Sequence, residues 1–237
     1  MEGSMARIVI LTGAGISAES GLGTFRDKGG VWTQYDLAEV ATPEGFAADP
    51  AKVHNFYNMR RANAAQAVPN AAHHALARLE AAMGDDLRIV TQNVDGLHEA
   101  AGSTRVWHMH GRLNRARCAA CGATWDAPAV MATDDPCPTC AAPATRPDIV
   151  WFGEMPMYMD QIWDVLRGAE LFVSIGTSGQ VYPAAAFVQD ADRAGAHTLE
   201  LNLEASAVTS DFAEVRQGAA TEIVPAWVDE ELVRRGF

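Results

Sequence analysis

At 237 residues, 49% hydrophobic and 20% charged, the chain can bury a full core, as one large domain or as a domain with an inserted module. Its net charge of -12 excludes nucleic acid as the main partner, because gripping phosphates needs clustered cations. No apolar run reaches membrane-spanning length, and the N-terminal MEGSMARIVILTGAG is not a secretory signal, so the expected location is cytoplasmic, without a membrane partner.

Arg7-Ile-Val-Ile-Leu-Thr12 is a β-branched run that stops at glycine, as a buried strand does. Gly13 to Trp32 is glycine-rich and reads as a loop around one helical turn. A helical stretch covers Pro50 to Met83, with a boundary at Pro69-Asn70 and Gly84 as its stop. Leu87–Thr91 and Thr104–Trp107 are further strand candidates. Residues 118–146 turn to Ala, Pro, Thr, Asp and paired cysteines, which predicts a small insert with little core of its own. Leu171–Ile175 and His197–Leu201 return to the buried-strand pattern around a helical stretch at Pro183–Ala194. Pro225–Arg235 reads as a last helix. Strands alternating with helices predict an α/β fold with a parallel sheet covered on both faces.

The four cysteines form one pattern, Cys118-Ala-Ala-Cys121 and Cys137-Pro-Thr-Cys140, with fifteen residues between the pairs. Two such pairs supply four thiolates to one tetrahedral zinc ion and leave no position open for water, so the metal is structural. Disulfides or a redox pair are the competing readings.

Gly13-Ala-Gly-Ile-Ser-Ala18 follows a strand and fits a phosphate-loop pattern. Gly13 permits the turn, Gly15 lets backbone approach a pyrophosphate and Ala18 allows close helix packing. A plain glycine turn fits equally well. A dehydrogenase would place an acidic residue on a second strand about twenty positions on. Here Arg26-Asp-Lys-Gly-Gly-Val-Trp32 fills that distance, and the better ribose partner is Asn202-Leu-Glu204.

Three more clusters end strand candidates: Thr91-Gln-Asn-Val-Asp-Gly96, His108-Met-His-Gly111 and Gly176-Thr-Ser178. Taken alone, His110 fits a structural strand-end histidine with His108 as its rival. Asp95 fits a turn residue, Gly176–Ser178 a turn, and Glu204 a solvated carboxylate. Asn55-Phe-Tyr-Asn-Met-Arg-Arg61 sets Tyr57 and Arg60 on one helix face. The pair is either part of a solvated face or a clamp for an anion.

As an ordered set, these segments resemble the sirtuin family of NAD-dependent protein-lysine deacylases. The matching stretches are GAGISAESGLGTFRD (13–27), TQNVDGLH (91–98), HMHG (108–111), the cysteine quartet, RPDIVWFGE (146–154), GTS (176–178), VYPAA (181–185) and NLE (202–204). The resemblance implies a Rossmann-type domain in three parts (5–30, 84–112 and 149–237). It adds a helical insert on the acyl-pocket side (31–83) and a zinc-ribbon domain (113–148). It implies consumption of NAD, acyl-lysine proteins or peptides as partners, a monomer as the expected state, and nicotinamide, free lysine and O-acyl-ADP-ribose as products.

By the same resemblance His110 is the base that takes a proton from a ribose hydroxyl, with Asn93 and Asp95 fixing the nicotinamide ribose and carboxamide. NAD contacts fall on Gly13, Ala14, Gly15, Ser17, Glu19, Thr24, Phe25, Arg26, Trp32, Gln92, Val94, Gly176, Thr177, Ser178, Asn202, Leu203, Glu204 and Ala220. Val150, Phe152, Gly153, Glu154 and Val181 border the acyl-lysine peptide. The branch that includes bacterial CobB-like and mitochondrial desuccinylase-like members carries a Tyr-x-x-Arg pair beside the acyl pocket. Tyr57 and Arg60 match it, and Ala41 matches the small residue that makes room for a longer acyl chain. A succinyl or malonyl carboxylate would be gripped by Arg60 and hydrogen-bonded by Tyr57. The alternatives are a protein mono-ADP-ribosyltransferase and a non-catalytic zinc-ribbon protein that senses a nucleotide.

Overall fold

The computed structural model describes residues 6–23 and 35–237. Strand β1 (Ile8–Thr12) is buried along its whole length, and its side chains divide by alternation. Ile8 and Ile10 join one hydrophobic cluster, Val9 and Leu11 another. A strand apolar on both faces belongs inside a sheet covered on both sides. That sheet contains β2 (Leu87–Thr91), β3 (Val106–His108), β7 (Leu171–Ile175), β8 (His197–Asn202) and β9 (Glu214–Gln217), in the order β3-β2-β1-β7-β8-β9. Every neighbouring pair is parallel. The order reverses between β1 and β7, so the loops after these two strands part there and open a crevice.

Helices α5 (Ala71–Met83) and α9 (Ala220–Arg235) cover one face, and α7 (Met159–Gly168) and α8 (Phe187–Arg193) cover the other. The predicted boundary at Pro69-Asn70 is a capping box made by Asn70 and His73, and Gly84 ends α5 at a φ of 58°. The last helix departs from expectation, since it begins at Ala220 and carries Pro225 inside. Its start is set from far away. The Glu19 carboxylate accepts the Thr221 amide at 3.0 Å and the Thr221 hydroxyl at 2.7 Å, and so neutralises the first turn.

Among the described residues, helices α2 (Leu37–Val40), α3 (Pro43–Ala48) and α4 (Pro50–Ala64) also lie between β1 and α5, capped by the side chains of Asp36, Thr42 and Asp49, and the short α6 (Leu97–Ala100) follows β2. The cysteine-bearing insert has more structure than its composition predicts. Strands β4 (Gly111–Cys118), β5 (Thr124–Asp126) and β6 (Thr145–Ile149) form an antiparallel sheet in the order β5-β4-β6. Among the described residues no helix is long and apolar enough to cross a membrane.

Candidate functional site

The crevice floor is built from backbone. The amide of Gly13 donates to the Ile175 carbonyl at 3.0 Å, and that of Gly15 to the Gly176 carbonyl at 2.8 Å. A Cβ on Gly13 would lie 2.8 Å from the Gly176 oxygen, and one on Gly15 2.7 Å from the Gly176 Cα. Gly176 itself has a φ of 63°, and its Cβ would meet the Ile16 amide at 2.5 Å. Sequence reasoning gave Gly15 the task of admitting a pyrophosphate; here its missing side chain lets two loops touch. Helix α1 (Ala14–Ala18) opens directly behind this contact. On the far side Asn202 donates to the Thr177 carbonyl at 2.7 Å, which ties the end of β8 to the turn after β7. Leu203 is exposed there.

Above the floor, Asn93 is nearly buried and donates through Nδ2 to the Gly13 carbonyl at 3.0 Å and to Ser17 Oγ at 3.1 Å. Asp95 accepts from Ser17 Oγ at 3.1 Å and from the Leu97 amide at 3.0 Å. Burial pushes the Asp95 carboxyl above its ordinary range, and these two hydrogen bonds oppose the shift. Val94, between them, gives its carbonyl to the Leu113 amide at 2.8 Å.

His110 stands at the turn into β4, with Nδ1 3.2 Å from the Gln92 carbonyl. A carbonyl only accepts, so Nδ1 carries the proton and Nε2 keeps its lone pair, the form a general base requires. Burial lowers the imidazole pKa, and the bond to Gln92 opposes that fall. His108, the rival, is bonded on both sides: its ring nitrogens meet the Asn93 carbonyl at 3.0 Å and Glu99 Oε1 at 2.8 Å. It holds the Asn93 loop in place.

Tyr57 is buried on α4 inside an apolar cluster with Val40, Ala41, Phe56 and Trp151. Its hydroxyl accepts from Trp151 Nε1 at 3.0 Å, which leaves its own proton to donate. The Arg60 guanidinium lies 5.8 Å from the Tyr57 ring centre and hydrogen-bonds that side chain. Burial lowers the Arg60 pKa, while Tyr57 and Asp95 hold it up. The pair therefore sits between that apolar cluster and the Asn93–Asp95 network.

The Phe152 amide donates to the Ala41 carbonyl at 2.9 Å, and the Val150 amide to the His110 carbonyl at 2.9 Å. Glu154 turns inward, with both carboxylate oxygens on Arg146 at 2.7 and 2.9 Å, and Arg146 stacks over Trp151 at 3.5 Å. This brace leaves Phe152 and the left-handed Gly153 at the surface, together with Tyr182, the neighbour of Val181.

The four cysteine sulfurs lie within 4.8 Å of one another, and Cys118–Cys140 and Cys121–Cys137 are each 3.7 Å apart. Sulfurs at the usual zinc distance sit about 3.8 Å apart on a tetrahedron. A disulfide needs about 2 Å. The quartet fits a zinc ion and not a pair of disulfides. Each Cys-x-x-Cys turn ends on a left-handed residue, Gly122 at a φ of 75° and Ala141 at 60°.

Residues 13–183 match the Sir2 family model. The chain belongs to the Sir2 family. It is similar to a protein of Caulobacter vibrioides named NAD-dependent protein deacylase, 59% identical over 99% of this chain and 100% of the relative. An Escherichia coli K12 protein of the same name is 52% identical over 95% of this chain and 82% of its own length. Among solved structures, a Sir2 homolog–NAD complex matches with a TM-score of 0.86 and 37% identity, covering 96% of this chain and 89% of that one. A mutant Sir2 homologue bound to ADP-ribose gives 0.89 at 35% identity, covering 97% and 94%.

In this Sir2 protein the expected residues fall into three neighbouring groups: Gly13–Ser17 with Asn93 and Asp95, Gly176–Ser178 with Asn202–Glu204, and Ala41, Tyr57 and Arg60. Thr24, Phe25, Arg26 and Trp32 lie outside the described residues. The Glu19 carboxylate is taken up by Thr221, beside Ala220.

Sequence reasoning missed Trp151, whose indole joins the Tyr57 hydroxyl to the Arg146–Glu154 brace. It also missed a polar layer behind Ser17. There His98 Nε2 meets Thr12 Oγ1 at 2.9 Å, and His73 Nε2 lies 3.5 Å from Ser17 Oγ. The two rings meet edge-on with centres 5.1 Å apart. Burial pushes His73 down to about 4 and His98 to about 3, from an ordinary 6.5. An unfolded chain protonates both near 6.5, so their contribution is complete above that pH and is lost as the pH falls towards 4 and then 3. By pH 5 the expected loss is about 2 kcal/mol for each ring. Denaturant unfolding at pH 7 and pH 5 measures it; equal stability at both would mean that neither ring is held neutral.

Proposed function

We propose that the protein removes acyl groups from lysine side chains of other proteins while consuming NAD, and that it accepts succinyl and malonyl chains as well as acetyl. The observation that supports the reading is the linked set of His110 on the Gln92 carbonyl, the Asn93–Ser17–Asp95 network that follows Gln92 in the chain, and the Tyr57–Arg60 pair held by Asp95. NAD, when bound, supplies a sugar carbon that takes the acyl oxygen as nicotinamide departs. Asn93 and Asp95 orient the sugar and carboxamide, and His110 Nε2 draws a proton from a ribose hydroxyl. The peptide lies as a strand along Gly153–Glu154 and Val181, its acyl-lysine directed towards Ala41. Arg60 takes the terminal carboxylate of a succinyl chain, with the Tyr57 hydroxyl donating a further bond. A shorter acetyl group meets no obstruction.

Unmodified, acetylated and succinylated forms of one lysine peptide, each with NAD, test this reading. Nicotinamide release is expected only with the two acylated forms, in step with free-lysine peptide in the mass spectrum. Release without an acyl group, or ADP-ribose attached to protein, would overturn it.

A further inference from the structure

Helix α4 presents two faces to two different partners. Val53, Tyr57 and Arg60 follow one another at helical spacing on the pocket side. His54, Asn58 and Arg61, one position along, share the next face at spacings of four and three. That second face meets the cysteine insert. Asn58 Nδ2 donates to the Met131 carbonyl at 2.8 Å, and the Met131 amide donates back to Asn58 Oδ1 at 2.9 Å. Arg61 is buried to 8% exposure and donates through Nε to the Leu113 carbonyl at 2.7 Å. Its Nη1 reaches Asn58 Oδ1 at 2.8 Å and the Ala129 carbonyl at 3.3 Å, and its Nη2 lies 3.1 Å from Met131 Sδ.

This is an unusual use of a buried cation, because its hydrogen-bond partners are carbonyl oxygens, an amide and a thioether. Hydrogen bonds to a charged donor are stronger than neutral ones, and leaving such a donor unmet inside the protein is strongly unfavourable. The loop that receives it, residues 129–131, runs between the two cysteine pairs, so a metal on the four sulfurs closes that loop at both ends. A helix is rigid about its axis. Whatever fixes the azimuth of Asn58 and Arg61 also fixes that of Tyr57 and Arg60, one residue before each.

We infer that Asn58 and Arg61 are positioning residues for acyl selectivity: they lock α4 onto the 129–131 loop of the cysteine insert, and so hold the Tyr57–Arg60 pair at the angle a terminal carboxylate needs. The inference rests on the carboxylate reading of that pair and adds a support for it outside the pocket. Acetyl-lysine does not reach the clamp. Loosening α4 therefore penalises succinyl-lysine selectively and acts mainly on KM, since the chemistry at His110 is untouched.

The test is Asn58→Ala in the zinc-loaded full chain, measured with acetyl and succinyl versions of one peptide beside the wild type. The expected result is about a tenfold fall in kcat/KM for the succinyl peptide, carried by KM, with the acetyl value within about twofold. Hydrogen exchange of amides 53–61 is expected to quicken while that of β1 and β7 stays unchanged. Parallel losses on both peptides, or no change in either, would overturn the inference. Should Asn58→Ala fail to retain zinc, Arg61→Lys decides by the same criteria, because lysine keeps the charge and cannot reach four acceptors at once. Wild-type turnover of the succinyl peptide reports separately on the carboxylate reading. If the wild type fails there, unchanged exchange across 53–61 in the variant overturns the lock as well, and quickened exchange upholds the lock alone.

Discussion

His110→Tyr is expected to lower kcat for deacylation by at least about 10³-fold while zinc content and thermal stability stay near wild type. The loss is confined to chemistry because, among the described residues, the ring bonds to the protein through the Gln92 carbonyl, which a small backbone adjustment can hand to water. The wild-type pH profile supplies a second check. The base works unprotonated, and burial lowers its pKa in the free protein, so the acid limb of kcat/KM falls below pH 6.5. That limb must be separated from the acid loss of stability set by His73 and His98, which unfolding measured at the same pH values provides. Full activity in His110→Tyr would remove the base from the mechanism. His108 is no substitute, since both of its nitrogens are bonded elsewhere.

Arg60→Met should reduce kcat/KM for a succinyl peptide by about 100-fold and change that for the acetyl peptide by less than about threefold. Methionine keeps the apolar stem and removes the charge, so the Phe56–Tyr57 packing around it is preserved. What goes is the charge proposed to meet the acyl carboxylate beside the apolar cluster of Val40, Ala41, Phe56 and Trp151. A carboxylate entering such a pocket unmatched is strongly disfavoured. Equal losses on the two peptides would mean that Arg60 supports the helix or the Asp95 network instead of reading the acyl tail.

Much of this was legible in the sequence because it rests on local patterns. The β-branched runs at 8–12, 87–91 and 171–175 are buried on both faces, and such strands need no distant information to be recognised. The cysteine spacing fixes a metal geometry by itself, and the sulfurs meet it. What the sequence concealed depends on partners remote in the chain. Glu19 starts α9 from across the fold, which is why Pro225 was a misleading signpost. Trp151 looks like one apolar residue in the run 146–154, and its bond from the indole nitrogen to Tyr57 appears only in three dimensions. Strand β9 is four residues with two charged side chains, and α7 had to compete with a run of Met, Pro and Tyr ahead of it. The histidines at 73 and 98 are buried by tertiary structure that no local pattern announces.

The three glycines at 13, 15 and 176 carry a consequence for redesign. Main chain rests against main chain where these loops meet, so that even a single Cβ on Gly13, Gly15 or Gly176 would collide with backbone of the facing loop. A bulkier dinucleotide analogue therefore cannot be accommodated by carving downwards. Room has to be sought at solvent-facing side chains such as Leu203 and Tyr182, which can be exchanged without prising the two central strands apart.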